Sequence, residues 1–211
     1  MATIYRTAAG AITLLAVAVQ YWVLMEGRSG DALIRSSIEF FSFFTILTNI
    51  LAGVALLWPV LAPRSGLAHF LMRPSVRTAI TGYIIIVGVV YYLLLRNVGN
   101  QHGLGLFVER SLHYVTPPLF VLDWLLFVPK HGLSWKVGFA SLGYPFVYTV
   151  WTLLHGAVTG WYPYPFIDVP ELGYPRVLAN MVALVGSFLG LELALVGIGR
   201  LLAQLRERRL P

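Results

Sequence analysis

Several side chains that can transfer protons or form strong hydrogen bonds interrupt stretches of the sequence that are otherwise apolar. Burying such a group is costly, so each one is a candidate functional residue. A histidine can exchange a proton near neutral pH, and a hydroxyl or carboxylate can act beside it. The alternative role is structural: a helical threonine bonds the carbonyl one turn back, and a histidine or carboxylate fixes helix packing. The candidates are Thr45, Thr48, Asn49, His113, Thr116, Asp123, Tyr148, Thr149, Thr152, His155, Asn180 and Glu192.

The composition around these residues is typical of a membrane protein. Of 211 residues, 58% are hydrophobic and 11% are charged, and the mean hydropathy is +0.76. A soluble domain is about 25% charged, so the composition excludes an ordinary soluble enzyme and a disordered tail. The net charge of +6 includes only two lysines, so no nucleic-acid partner is expected. Because the sequence has no cysteine, disulfides, thiolate metal sites and a cysteine nucleophile are excluded.

Six stretches are apolar enough to cross a bilayer, which takes about 20 residues for about 30 Å of hydrocarbon. The connecting loops are short, so consecutive helices are expected to be antiparallel neighbours. The sequence therefore predicts an all-α integral membrane protein, a single six-transmembrane-helix bundle over residues 1–211. The predicted spans are about 7–25, 40–62, 78–95, 108–128, 135–157 and 177–199.

The distribution of charge predicts the orientation of this bundle. Six spans place both termini on one side, and ten of the fifteen cationic residues fall on that side. Lys and Arg favour the cytoplasmic side, so both termini are predicted to be cytoplasmic and the first, third and fifth loops to face outward. The ten residues are Arg6, Arg64, Arg73, Arg77, Lys130, Lys136, Arg200, Arg206, Arg208 and Arg209.

Depth in the membrane separates the polar candidates into two levels. Thr45 lies about 9 Å, and His113 about 8 Å, inside the outer ends of their spans at 1.5 Å per residue. Asn49 follows Thr45 by four residues and shares its helix face. Asp123 lies about 15 Å deeper than His113, at a depth similar to Glu192. Asp123 and Glu192 are therefore predicted to form a structural polar pair that shares a proton.

Two further features of the sequence are predicted to lie near Thr45 and His113, toward the outer side. Pro117 and Pro118 follow His113, so a kink is expected that frees backbone carbonyls and lines a cavity. The fifth loop, GWYPYPFIDVPELGYP, is rich in aromatic residues and proline. It is either an interfacial aromatic belt or a lid over an outward pocket. The lid candidates are Trp161, Tyr162, Tyr164, Phe166 and His155.

Three segments together resemble one family. They are FFSFFTILTNIL near residues 40–51, HYVTPPLFVLD at 113–123 and TGWYPYPFIDV at 159–169. The chain is similar to the androgen-induced protein family, and looks like one of its bacterial six-pass relatives. The animal members are integral-membrane hydrolases of fatty acid esters of hydroxy fatty acids.

The resemblance implies a threonine-dependent lipid ester hydrolase in a bacterial plasma membrane. Its functional pair maps to Thr45 and His113, with Thr48 as a second choice for the threonine. In that chemistry a base activates the threonine hydroxyl, and donors such as Asn49 or Thr48 support the oxyanion. Neither a metal nor a cofactor is implied, and the partner is a lipid or fatty acyl ester.

Other functions remain open at this point. An acyltransferase would share the acyl-threonine step and differ only in the acceptor. A non-enzymatic lipid-binding bundle would retain the fold without turnover. A haem carrier would need His113 and His155 to face one cavity, and a transporter would need repeats or paired broken helices, which the sequence lacks.

Overall fold

The computed structural model describes residues 1–99 and 101–208, and within these ranges the chain forms helices and turns but no strand. Arg209, one of the ten cationic residues above, lies outside the described residues. The chain divides into two compact units, Met1–Pro129 and Lys130–Pro211. Long apolar helices and no strand confirm the predicted class, an α-helical membrane bundle, for the described residues. The number of spans and the side of the termini stay predictions.

The described residues of the first unit, 1–99 and 101–129, form seven α-helices and two short π-helical segments. The first π segment, Tyr91–Leu95, continues helix α5, and the second, Ser111–Val115, joins α6 to α7. The α-helices are α1 Ala2–Met25, α2 Gly30–Phe41, α3 Phe44–Leu61, α4 Gly66–Leu71, α5 Pro74–Val90, α6 Gly103–Arg110 and α7 Thr116–Phe127.

The second unit contains α8 Lys136–Ala140, α9 Gly143–Thr159 and α10 Val169–Glu207. Helix α9 ends at Gly160, whose φ of 74° is left-handed and suits glycine. A 3₁₀ turn, Pro165–Ile167, precedes α10, which begins well before the predicted residue 177. Gly173 interrupts α10 with a φ of 71° and a ψ of 155°, so the second half of the predicted fifth loop is a kinked helix start.

Among the residues that the structure describes, five helical segments are long and apolar enough to cross a membrane. They correspond to five of the six predicted spans: Ala2–Met25, Phe44–Leu61, Pro74–Leu95, Lys136–Thr159 and Val169–Glu207. The predicted fourth span, 108–128, is helical but is not one of the five. It combines a π segment with two prolines, a histidine and an aspartate, so its transmembrane course stays a prediction.

Helix α2 is an element that the sequence analysis did not predict, in the segment treated as the first loop. Phe40 on one side of it is buried, while Ile34, Ile38 and Phe41 are 60%, 47% and 46% exposed. These three residues recur at helical spacing. The segment between α1 and α3 is therefore a short amphipathic helix.

Glycine allows α1 and α3 to approach closely. A Cβ atom at Gly10 would lie 2.9 Å from the Leu57 Cβ, and one at Gly53 would lie 2.7 Å from the Leu14 side chain. Small residues at such crossings let helix backbones pack tightly where no hydrophobic effect drives association. This contact fixes α3, which carries Thr45, against α1.

Arg77 is fully buried in α5 and bonds backbone carbonyls of α3 and α4 in the same unit. Pro59 lies inside α3 and has no N–H to bond the Ala55 carbonyl four residues earlier. Arg77 Nη2 donates to that carbonyl at 2.6 Å, and Arg77 Nε donates to the Leu71 carbonyl at the end of α4 at 3.0 Å. One arginine thus satisfies carbonyls at a proline site and at a helix end.

Candidate active site

His113 lies in the π segment between α6 and α7, with only 8% of its surface exposed. This segment, Ser111–Val115, ends two residues before Pro117, and the kink predicted from the two prolines stays a prediction. π-Helical turns inside longer helices occur frequently at functional sites. The segment therefore places a buried histidine where the regular backbone pattern changes.

A backbone hydrogen bond fixes the tautomer of His113. Its Nδ1 lies 2.7 Å from the Glu109 carbonyl oxygen. Because a carbonyl oxygen can only accept, Nδ1 carries the proton of the neutral imidazole and Nε2 keeps its lone pair. Nε2 takes no part in this hydrogen bond. The ring is thus set up to accept a proton at Nε2.

Tyr91 and Gly88 hold the histidine from α5 and the first π segment. The Tyr91 and His113 rings are stacked, with centroids 3.9 Å apart and planes 19° apart. A Cβ atom at Gly88 would lie 3.0 Å from the His113 carbonyl oxygen. That carbonyl lies four residues before Pro117, which lacks the N–H to bond it. Sequence reasoning missed both residues; a tyrosine and a glycine in an apolar span were the available signals.

Thr45 lies in the first turn of α3 and is buried, with 8% of its surface exposed. Asn49 Nδ2 donates to the Thr45 carbonyl at 2.9 Å, so the predicted shared face exists. Asn49 Oδ1 is buried and has no partner in the described part of the chain. Thr48 is fully buried. Asn49 therefore supports the backbone of the candidate nucleophile, and its role as an oxyanion donor stays a prediction.

A shared apolar cluster brings the neighbours of Thr45 and His113 together. Ile46 and Leu112, the residues adjacent to the two candidates, are buried in one cluster with Val17. The cluster also contains Phe40, which connects it to α2. The start of α3 and the π segment therefore pack against one apolar cluster of the first unit, and the equal depth of Thr45 and His113 in a membrane stays a prediction.

Asp123 has partners different from the predicted one. Its Oδ1 accepts from Arg6 Nε at 2.7 Å and its Oδ2 accepts from Arg77 Nη1 at 2.9 Å. The prediction that Asp123 shares a proton with Glu192 is wrong, because two guanidinium groups already occupy both carboxylate oxygens. The charge count placed Arg6 in the N-terminal stretch and Arg77 in the second loop, whereas both are buried in helices. Without these two residues, eight cationic residues (10 − 2) remain on the side of the termini and five on the other side. The count therefore still predicts cytoplasmic termini.

Glu192 lies in α10 of the second unit and is fully buried. Neither of its carboxyl oxygens has a hydrogen-bond partner within residues 1–99 and 101–208. No group of three or more histidine and acidic side chains in these ranges could hold a metal ion.

The aromatic residues of the fifth loop form an ordered cap on their own unit. His155 stacks on Trp151 and meets Trp161 edge-on, with centroid distances of 5.5 and 5.8 Å. Tyr162 packs directly against Gly156. The remaining lid candidates, Tyr164 and Phe166, stack at 5.2 Å, and the Phe166 carbonyl accepts from Asn180 Nδ2 at 2.8 Å. A lid role for these residues stays a prediction.

Comparison with known proteins adds no identification: no family model, curated protein or solved structure matches this chain.

Proposed function

We propose that this protein is an integral-membrane lipid ester hydrolase in which Thr45 is the nucleophile and His113 is the general base. The observation that carries the proposal is the hydrogen bond from His113 Nδ1 to the Glu109 carbonyl. It leaves Nε2 as a proton acceptor in a buried setting, and the adjacent Leu112 packs in one cluster with Ile46 of α3. A neutral imidazole held in this way is a suitable base for a hydroxyl nucleophile.

The reaction follows from these two groups. Thr45 Oγ1 attacks the ester carbonyl carbon while its proton passes to His113 Nε2. The tetrahedral intermediate breaks the bond to the alcohol oxygen, which leaves with the proton from Nε2, and an acyl-threonine remains. Water then attacks this acyl group and gives a proton to Nε2. Cleavage of the bond to Thr45 Oγ1 releases the fatty acid and returns the proton to the hydroxyl.

The proposed topology brings a lipid ester to this pair. We infer six spans with the segment 108–128 as the fourth, and both termini on the cytoplasmic side. Thr45 and His113 then lie about 8–9 Å below the outer surface by helical rise. A lipid ester near the headgroup region reaches that depth with its acyl chain in the hydrocarbon. Fatty acid esters of hydroxy fatty acids, which the family resemblance implies, meet these requirements.

The test uses variants that separate chemistry from folding. His113→Asn keeps a side-chain N–H near the position of Nδ1, and so keeps a donor for the Glu109 carbonyl, but removes the base at Nε2. It is expected to lower kcat for ester hydrolysis by about 10²–10⁴-fold. Thr45→Ala is expected to abolish hydrolysis, and Thr45→Ser to keep part of it. Tm is expected to stay within a few degrees of wild type in all three.

Thr81→Ala is the matched control, because Thr81 is a fully buried threonine of α5 whose hydroxyl donates to the Arg77 carbonyl. It should hydrolyse esters at the wild-type rate. Mass spectrometry of enzyme trapped with a slow acyl substrate should place the adduct on the peptide containing Thr45. Wild-type turnover by Thr45→Ala would refute the nucleophile assignment, and Thr48→Ala would be tested next. Lipid binding without turnover by the wild-type protein would favour a non-enzymatic bundle.

A further inference from the structure

The buried charges of the first unit do not balance. Arg6 and Arg77 flank Asp123, with residue exposures of 8%, 0% and 0%. Among the described residues, Asp123 is the only carboxylate paired with either guanidinium. Two cations therefore share one anion away from water, and an uncompensated buried charge is strongly unfavourable. The cluster lacks one negative charge.

Both guanidinium groups converge on a single weak acceptor. Arg6 Nη1 lies 3.5 Å and Arg77 Nη2 lies 3.3 Å from the Met72 Sδ. A thioether sulfur accepts hydrogen bonds only weakly. Arg6 Nη2, beside it, is buried and has no partner in the described ranges. Two charged guanidinium groups thus donate to a sulfur atom that accepts hydrogen bonds only weakly.

Met72 can leave that position. It is half-buried and lies between the end of α4 at Leu71 and the start of α5 at Pro74. Methionine is unbranched and adapts to several packings. A group that enters from outside the unit to contact Arg6 and Arg77 at this position would have to displace the Met72 side chain.

We propose that the position of the Met72 thioether is an oxyanion-binding site in which a carboxylate or phosphate group bridges Arg6 and Arg77. The guanidinium fork matches two oxygens of such a group. One added negative charge also balances the cluster. The oxyanion comes from a fatty acid, from a phospholipid headgroup or from free phosphate. The proposal does not depend on ester hydrolysis.

The test measures Tm of the purified full-length protein in nanodiscs and compares probes. Sodium oleate, inorganic phosphate, and phosphatidylglycerol replacing phosphatidylcholine are each tested. A probe that binds the site should raise Tm by about 5 °C at saturation. A response to oleate alone identifies a fatty acid carboxylate. A response to phosphatidylglycerol alone identifies a lipid phosphate, and a response to inorganic phosphate identifies the free anion.

Two variants of Met72 test the position itself. Met72→Glu places a carboxylate at the end of a side chain of nearly the same length, so it should raise Tm without any probe and abolish the response to it. Met72→Leu is the matched control without charge, and it should keep the probe response. Arg6→Gln should weaken binding of the probe at least tenfold while Arg77 and Asp123 stay paired.

The proposal is overturned if none of the three probes raises Tm of the wild-type protein. It is also overturned if Met72→Glu responds to the probe as Met72→Leu does, or if Met72→Glu lowers Tm more than Met72→Leu. Should Arg6→Gln fail to fold, the comparison of the two Met72 variants decides by itself.

Discussion

Replacing Asp123 by Asn tests whether the buried ion cluster holds the first unit together. The carboxylate is fully buried, and its two oxygens accept from Arg6 and Arg77 at 2.7 and 2.9 Å. An asparagine has nearly the same shape but keeps only one acceptor oxygen. Its amide N–H₂ would face a guanidinium donor, and both arginines would lose their counter-charge.

The expected cost follows from these contacts. Breaking a buried ion pair by removing one partner costs about 3–5 kcal/mol, because the charge left behind is uncompensated. For a chain of this size that corresponds to a fall in Tm of about 10 °C. Arg6→Gln should cost at least about 2 kcal/mol less, since it leaves Arg77 and Asp123 as a balanced pair. In the Asp123→Asn background, Arg6→Gln removes an unpaired cation and should raise Tm.

The assay is thermal unfolding of the four proteins in one detergent, read as a double-mutant cycle. Ester hydrolysis by each folded variant is measured below its Tm, and Asp123→Asn should keep most of its turnover. A Tm of Asp123→Asn within about 2 °C of wild type would show that the cluster contributes little. A further fall in the double variant would contradict the charge argument, and a folded but inactive Asp123→Asn would place this residue in the chemistry.

Gly88→Ala should lower hydrolysis and cost about 1–3 kcal/mol of stability, because its Cβ would press on the His113 carbonyl; Gly190→Ala, with open space at its Cβ, is the control for both readouts. Gly156→Ala should destabilise the second unit by a similar amount, since the Tyr162 ring occupies the space, and Tyr162→Ala should relieve that loss; additive losses would refute this packing argument. A reporter fused to the C-terminus should give a cytoplasmic signal in cells, and a periplasmic signal would reverse the depth assignments of Thr45 and His113.

The sequence by itself determined the fold class and most of the apolar helices. A span needs a long run of apolar residues with few charges, and that information is local, so five of the six predicted segments recur in the structure. Asn49 sharing a helix face with Thr45 followed from helical spacing alone.

Tertiary structure decided which charges are buried and which rings meet. Arg6 and Arg77 lie near the ends of apolar stretches, where a cation is ordinarily read as a headgroup contact. Their burial beside Asp123 depends on α1, α5 and α7 meeting, which no local pattern encodes. The same holds for Tyr91, whose stacking on His113 joins residues 22 positions apart (113 − 91). Hydropathy and spacing describe one helix at a time, whereas the partners of a buried polar group belong to other helices.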